Sequence, residues 1–284
     1  MQKRGRIDGD IRWIIRHGKP VMSEHEDRLL SFVVDGKTIG ANLERAIAAG
    51  RVVRHADGRL ELLRPYGQPP TAIGLDGYIW RQGDFAQPCI FLNRFMFRHV
   101  YGEAAVPFGC RDCYKVKVVS NSLRQMVAVK DMAEKDLAES VPASSKSGVE
   151  VNNSENQHVY GSYFYFLGLD RARAAYKVLR AKIDQHSKLG AGVKMLIKRG
   201  CTNYERKCGP SDQYKFDPRQ EEIERHLSSR FVADVRSGAT KTVRDKIQFL
   251  EWVQTAYRIG DDTYKDFTGG KELYPSVVTY PPEK

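Results

Sequence analysis

The chain has 284 residues, 41% of them hydrophobic, with 14 Tyr, 12 Phe and 3 Trp. That apolar load fills one large core or two modest ones and excludes a disordered chain, while no apolar run reaches the roughly 18–20 residues needed to cross a bilayer. Lys and Arg number 46 against 35 Asp and Glu, a formal charge of +11, which favours an anionic substrate, nucleic acid or an acidic protein as partner.

The first ten residues are charged, with no apolar stretch behind them, so no export signal is expected and the chain reads as cytoplasmic. An apolar cluster follows at Ile11, Trp13, Ile14 and Ile15, and Ser23-Glu24-His25-Glu26-Asp27 reads as a charged helix start. Helical spacing of Ile39, Leu43, Ala46 and Ile47 over 38–49 ends at Gly50, a natural C-cap. Arg51–Arg54 and Leu60–Leu63 flank a turn at Ala56-Asp57-Gly58 and predict a hairpin. Helix then hairpin resembles the tail of a winged-helix module, which implies duplex nucleic acid as a partner. Residues 1–66 are expected to form this small α+β module, with Pro65 to Pro70 as the boundary and 67–284 as an α/β domain.

Ala72–Trp80, with Gly74 and Gly77, reads as a loop or a strained strand. Cys89-Ile90-Phe91-Leu92 predicts a short buried strand and Asn93–Tyr101 a short helix. Tyr114–Val119 alternates as a strand, and Ser122–Leu137 has a helical apolar face. Ala138–His158, rich in Ser and Asn, is expected to be a loop of about twenty residues, either a mobile lid that closes over substrate or a disordered segment. Val159–Leu167 predicts a strand, Arg171–Gln185 a helix capped by Asp170, and Val193–Ile197 another strand. This β-α-β-α-β order indicates an α/β fold, built as a partial barrel or an open sheet. Two C-terminal helices are expected over 218–235 and 240–257, before an extended tail. Thr268-Gly269-Gly270-Lys271 lacks the full phosphate-loop spacing and reads as a turn.

Five cysteines in a chain without an export signal point to free thiols or metal ligands rather than disulfides. Cys110 and Cys113, on a turn opened by Gly109 and running into a strand, have the Cys-x2-Cys spacing used by both zinc and iron–sulfur sites. They form half a tetrahedral site, to which Cys89 and/or Cys201 would add: three thiols would leave an iron open for catalysis, and four would make a structural site. Cys208 lies beside Lys207, which would lower its thiol pKa and make it reactive instead. Geometry sets a condition. Cys113 precedes its strand and Cys201 follows another, so parallel strands of about six residues would hold them roughly 20 Å apart. A shared site requires antiparallel strands or a loop that folds back. Tyr204, Glu205 and Asp212 are polar groups near Cys201, with Glu205 and Asp212 as candidate acid or base.

A three-thiol site is similar to that of the radical S-adenosylmethionine enzymes, which carry three cysteines on a loop beside a partial α/β barrel. Only the x2 pair matches their Cys-x3-Cys-x2-Cys pattern. The similarity implies a 4Fe-4S cluster with S-adenosylmethionine as cofactor. Two functional expectations follow: an iron–sulfur enzyme acting on an anionic small molecule or peptide, or a zinc-stabilised nucleic-acid-binding protein.

Overall fold

The computed structural model describes residues 24–63, 77–83, 88–135, 137, 139–151, 157–233, 241–275 and 278–280. The apolar cluster at Ile11 to Ile15 and the boundary at Pro65 to Pro70 lie outside the described residues. In chain order the elements are α1 (Glu24–Leu30), β1 (Val33–Val34), β2 (Lys37–Thr38), α2 (Ile39–Ala48), β3 (Val52–Arg54), β4 (Leu60–Leu62), β5 (Tyr78–Arg81) and α3 (Ile90–Val100). They continue with β6 (Cys113–Ser120), α4 (Leu123–Lys135), β7 (Ser144–Val149), β8 (Tyr160–Leu167), α5 (Leu169–Gln185), β9 (Lys194–Arg199), α6 (Thr202–Cys208), α7 (Arg219–Arg230), β10 (Phe231–Ala233) and α8 (Lys241–Arg258). No helix among the described residues is long and apolar enough to cross a membrane.

These elements group into two units. The described residues of the first fall within 1–71, 87–113 and 199–237. The expected helix and hairpin are both present: Thr38 caps α2 by accepting from the Ala41 N–H at 3.2 Å, and β3 pairs antiparallel with β4, Val52 opposite Leu62. The hairpin gains a third strand, because β10 adds parallel to β4. Helix α7 therefore ends at Arg230, not at 235, and the chain extends through Phe231 to pair with Leu60. The expected strand at Cys89–Leu92 is instead the start of α3, whose π-helical turns bury Phe91, Leu92, Phe95, Met96 and Val100. A four-residue apolar run carries no period that separates a strand from a buried helix. Ile39, Leu43, Phe95, Phe97, Tyr204 and Leu227 form the centre of this unit's core.

The second unit contains the described residues within 72–86, 114–198 and 238–284. Its open five-stranded sheet has the order β5-β7-β8-β6-β9. Here the β-α-β-α-β expectation is corrected. The supposed lid contains β7, which pairs antiparallel with β5 on one side and β8 on the other. The order becomes β-α-β-β-α-β, a split β-α-β arrangement, in an open antiparallel sheet and not a partial barrel. Val116 and Val118 of β6 and Phe164 of β8 pack with Val129 and Met132 of α4 and Leu179 and Ile183 of α5. The i, i+4 spacing of Ala175, Leu179 and Ile183 makes α5 amphipathic. Its first turn follows Gly168 (φ +88°), so Asp170 lies within the helix and not at its cap. On α8, Trp252 donates to the Gly77 carbonyl at 3.0 Å and Gln248 accepts the Gly77 N–H at 3.0 Å, fixing the start of β5.

Candidate metal centre

All five cysteines lie in the first unit, and none is in a disulfide. The condition on strand direction is met. The Gly200 N–H, just past the end of β9, donates to the Cys113 carbonyl at the start of β6 at 2.8 Å. The two strands thus run oppositely, and Cys113 and Cys201 share one end. Arg199 tightens the same junction: its guanidinium donates to the Arg111 carbonyl at 2.9 and 2.6 Å and to the Ser211 carbonyl at 2.9 Å. One side chain therefore ties the interior of the Cys-x2-Cys turn to the segment after α6.

Cys110 closes a 3₁₀ turn, Phe108–Cys110, and is 6% exposed. Burial pushes its thiol pKa up, the Tyr204 hydroxyl at 3.5 Å draws it down, and the neighbouring Cys201, Cys113 and Cys89 thiols push it up further. Cys113 is buried, Cys201 is half-buried at the N-cap of α6 with its thiol making no cap bond, and Cys89 is exposed just before α3. Among the described residues, however, no three His, Cys, Asp or Glu side chains are gathered tightly enough to enclose a metal ion. The donor types suit zinc or an iron–sulfur cluster; their spacing is wider than coordination requires.

Cys208 is separate. Its thiol donates to the Glu103 carbonyl at 3.7 Å, and burial followed by the Glu103 charge raises its pKa. The lowering expected from Lys207 does not occur: burial dominates, and the Lys207 ammonium pairs with the Glu103 carboxylate at 3.1 Å.

Tyr204 is fully buried, with its ring edge-on to Phe97 at 4.5 Å. Burial, and then the Cys110 and Cys201 charges, raise its hydroxyl pKa, so it stays protonated and acts as a hydrogen-bonding wall. Glu205 is half-buried on α6, and Asp212 is exposed on the turn Ser211–Gln213. Burial and then the Glu205 charge raise the pKa of the neighbouring Tyr214 hydroxyl.

Spacing did not reveal what holds the thiol turn. Glu224 of α7, 6% exposed, accepts from the Phe108 N–H at 2.7 Å, the Gly109 N–H at 2.9 Å and the Tyr101 hydroxyl at 3.0 Å. One turn earlier, Gln220 donates to the Val106 carbonyl at 3.2 Å. Burial raises the Glu224 pKa, and the three donors oppose that rise. The signal available was a carboxylate between Ile223 and Leu227, on the apolar face of a helix. No family model, curated protein or solved structure matches the chain.

Proposed function

We propose that the chain is a polyanion-binding protein whose first unit is stapled by a thiolate-held zinc ion. Cys110, Cys113, Cys201 and Cys89 would supply the four ligands, and the metal would lock the start of β6 to the chain after β9. The observation that carries the reading is the Gly200 to Cys113 hydrogen bond at 2.8 Å, which puts Cys201 at the same end of the strands as the buried Cys110 and Cys113. A closed four-sulfur site of this kind stabilises a fold and leaves no position for substrate. The charge of +11 supports nucleic acid as the partner.

The exposure of Cys89 favours a second reading. Cys110, Cys113 and Cys201 alone would then hold an iron–sulfur cluster, its open iron facing S-adenosylmethionine or an anionic substrate. Metal and acid-labile sulfide analysis of anaerobically purified chain decides between them. Stoichiometric zinc that is lost in Cys110→Ser supports the first reading, and iron with sulfide supports the second. Protein that folds and retains neither overturns the metal in both.

A further inference from the structure

The face of the second unit's sheet turned away from α4 and α5 has a composition the metal does not explain. Side chains alternate along a strand, so with Val116, Val118 and Phe164 against the helices, the opposite face takes Tyr78 and Trp80 of β5 and Lys146 of β7. It also takes Tyr163 and Tyr165 of β8, Lys115 and Lys117 of β6, and Lys194 and Lys198 of β9. Aromatics surround Lys146 on the β5–β8 side, and lysines alternate along β6 and β9 on the other, with Val119 and Leu196 beside them. The rings lie against the sheet because glycines sit beneath them: a Cβ on Gly148 would come within 2.3 Å of the Tyr78 ring, and one on Gly161 within 2.8 Å of the Tyr163 hydroxyl. Trp80 and Tyr165 are near-parallel, 15° apart with centroids at 6.1 Å, and both are half-buried.

The ammonium of Lys146 stands 3.3 Å above the Tyr78 ring, and those of Lys115 and Lys117 lie 5.4 Å from Tyr163. Glu150 accepts from the Tyr78 and Tyr163 hydroxyls and fixes both rings. Burial lowers the Lys117 pKa, Glu150 raises it, and Lys115, Lys198 and Lys194 lower it, so the cations are close enough to repel one another. Such a field attracts a polyanion, and flat rings within it accept bases.

We propose that this face binds single-stranded nucleic acid. Bases would stack on Trp80 and Tyr165, while phosphates follow Lys146, Lys194 and Lys198, above the buried Lys115 and Lys117. A duplex hides its base faces and would gain only the phosphate contacts. The proposal rests on the polyanion part of the reading above and not on the metal.

The test is fluorescence anisotropy of the full chain with short labelled single strands of RNA and DNA and the matching duplex, across a salt series. A single strand of either sugar should bind more tightly than the duplex. Trp80→Leu should weaken it roughly 5- to 150-fold, the range for losing one stacked base. Lys194→Gln with Lys198→Gln, on an edge strand where folding is least at risk, should lower the salt slope by about 1 to 1.5. Arg173→Gln with Lys177→Gln, on exposed positions of α5, removes the same charge and should leave the slope unchanged. Tight binding that survives both sheet variants, folded by circular dichroism, places the site elsewhere and overturns the proposal while sparing the polyanion reading. Duplex preference also overturns it. No binding to any oligonucleotide at low salt overturns both.

Discussion

Replacing Glu224 tests whether the thiol turn is held by α7 or by its own backbone. The carboxylate takes three donors: the Phe108 and Gly109 N–H groups, which are partly accessible to water, and the Tyr101 hydroxyl, which is fully buried. In Glu224→Ala, water can replace part of the first two contacts but cannot reach Tyr101. An orphaned buried hydroxyl costs about 1–3 kcal/mol, and weakening the two backbone bonds adds a similar amount, so about 3 kcal/mol is expected. At roughly 2–4 °C per kcal/mol, that lowers the melting temperature by about 6–12 °C. Glu224→Gln keeps one oxygen acceptor and the side-chain volume, and should cost only about 1 kcal/mol. A thiol-reactive dye supplies a second readout. Cys110, 6% exposed in the native chain, should react markedly faster in Glu224→Ala once its turn is released. An alanine variant within about 0.5 kcal/mol of the parent, the ordinary range for neutral surface changes, with unchanged dye kinetics, would refute the role given to α7.

Asp261 accepts from the Leu123 N–H at 2.7 Å, the Tyr160 hydroxyl at 2.6 Å and the Thr263 N–H at 3.0 Å. Burial raises its pKa, but these bonds outweigh it and hold the carboxyl below its usual value. Its contribution to stability is therefore complete above the unfolded value of about 3.9 and disappears as pH falls through the lower folded value. Asp261→Asn should flatten the acid limb of a urea midpoint-versus-pH curve, and an unaltered limb would contradict this. Gly148→Ala drives a methyl into the Tyr78 ring and to within 2.5 Å of the Gly77 carbonyl, whereas Gly161→Ala meets the tip of Tyr163. Overpacking typically costs about 1–3 kcal/mol, so thermal melts should place Gly148→Ala at the upper end and Gly161→Ala below it. If zinc staples the first unit, a chelator under reducing conditions should lower its melting temperature and zinc should restore it. Metal-loaded protein that melts identically after stripping would remove the structural role.

The elements legible in the sequence were those with a period of their own. Helix α2 falls within the expected 38–49, and α4, α5 and α8 match within about two residues because each has an apolar stripe at helical spacing. Strand β7 had no such mark. Ser144-Ser145-Lys146-Ser147-Gly148-Val149 is small and polar, and its pairing comes from the neighbours on both sides. Ser147 settles its buried hydroxyl on Ser162 across the sheet at 2.8 Å. Strand β10 is equally short of local signal, since Phe231 to Ala233 are drawn out of the helical pattern by β4. Of the candidate site, the thiols were readable from spacing. Their supports, Glu224 and Arg199, were not, because each acts on backbone far away in sequence.

The strand missed in the sequence decides whether the thiol site is possible. In a sheet made only of β6, β8 and β9 joined by helical crossovers, every strand would point the same way, since a crossover preserves direction. Cys113 and Cys201 would then sit at opposite ends of the sheet. Strand β7 adds one hairpin, with Lys146 opposite Tyr163, and a hairpin reverses direction once. The single reversal turns β9 against β6 and brings Gly200 onto the Cys113 carbonyl. A polar segment that resembled a lid thus sets the direction on which convergence of the sulfurs depends. It also contributes Lys146 to the aromatic and basic face of the sheet, so its pairing bears on both sites although neither is contained in its own six residues.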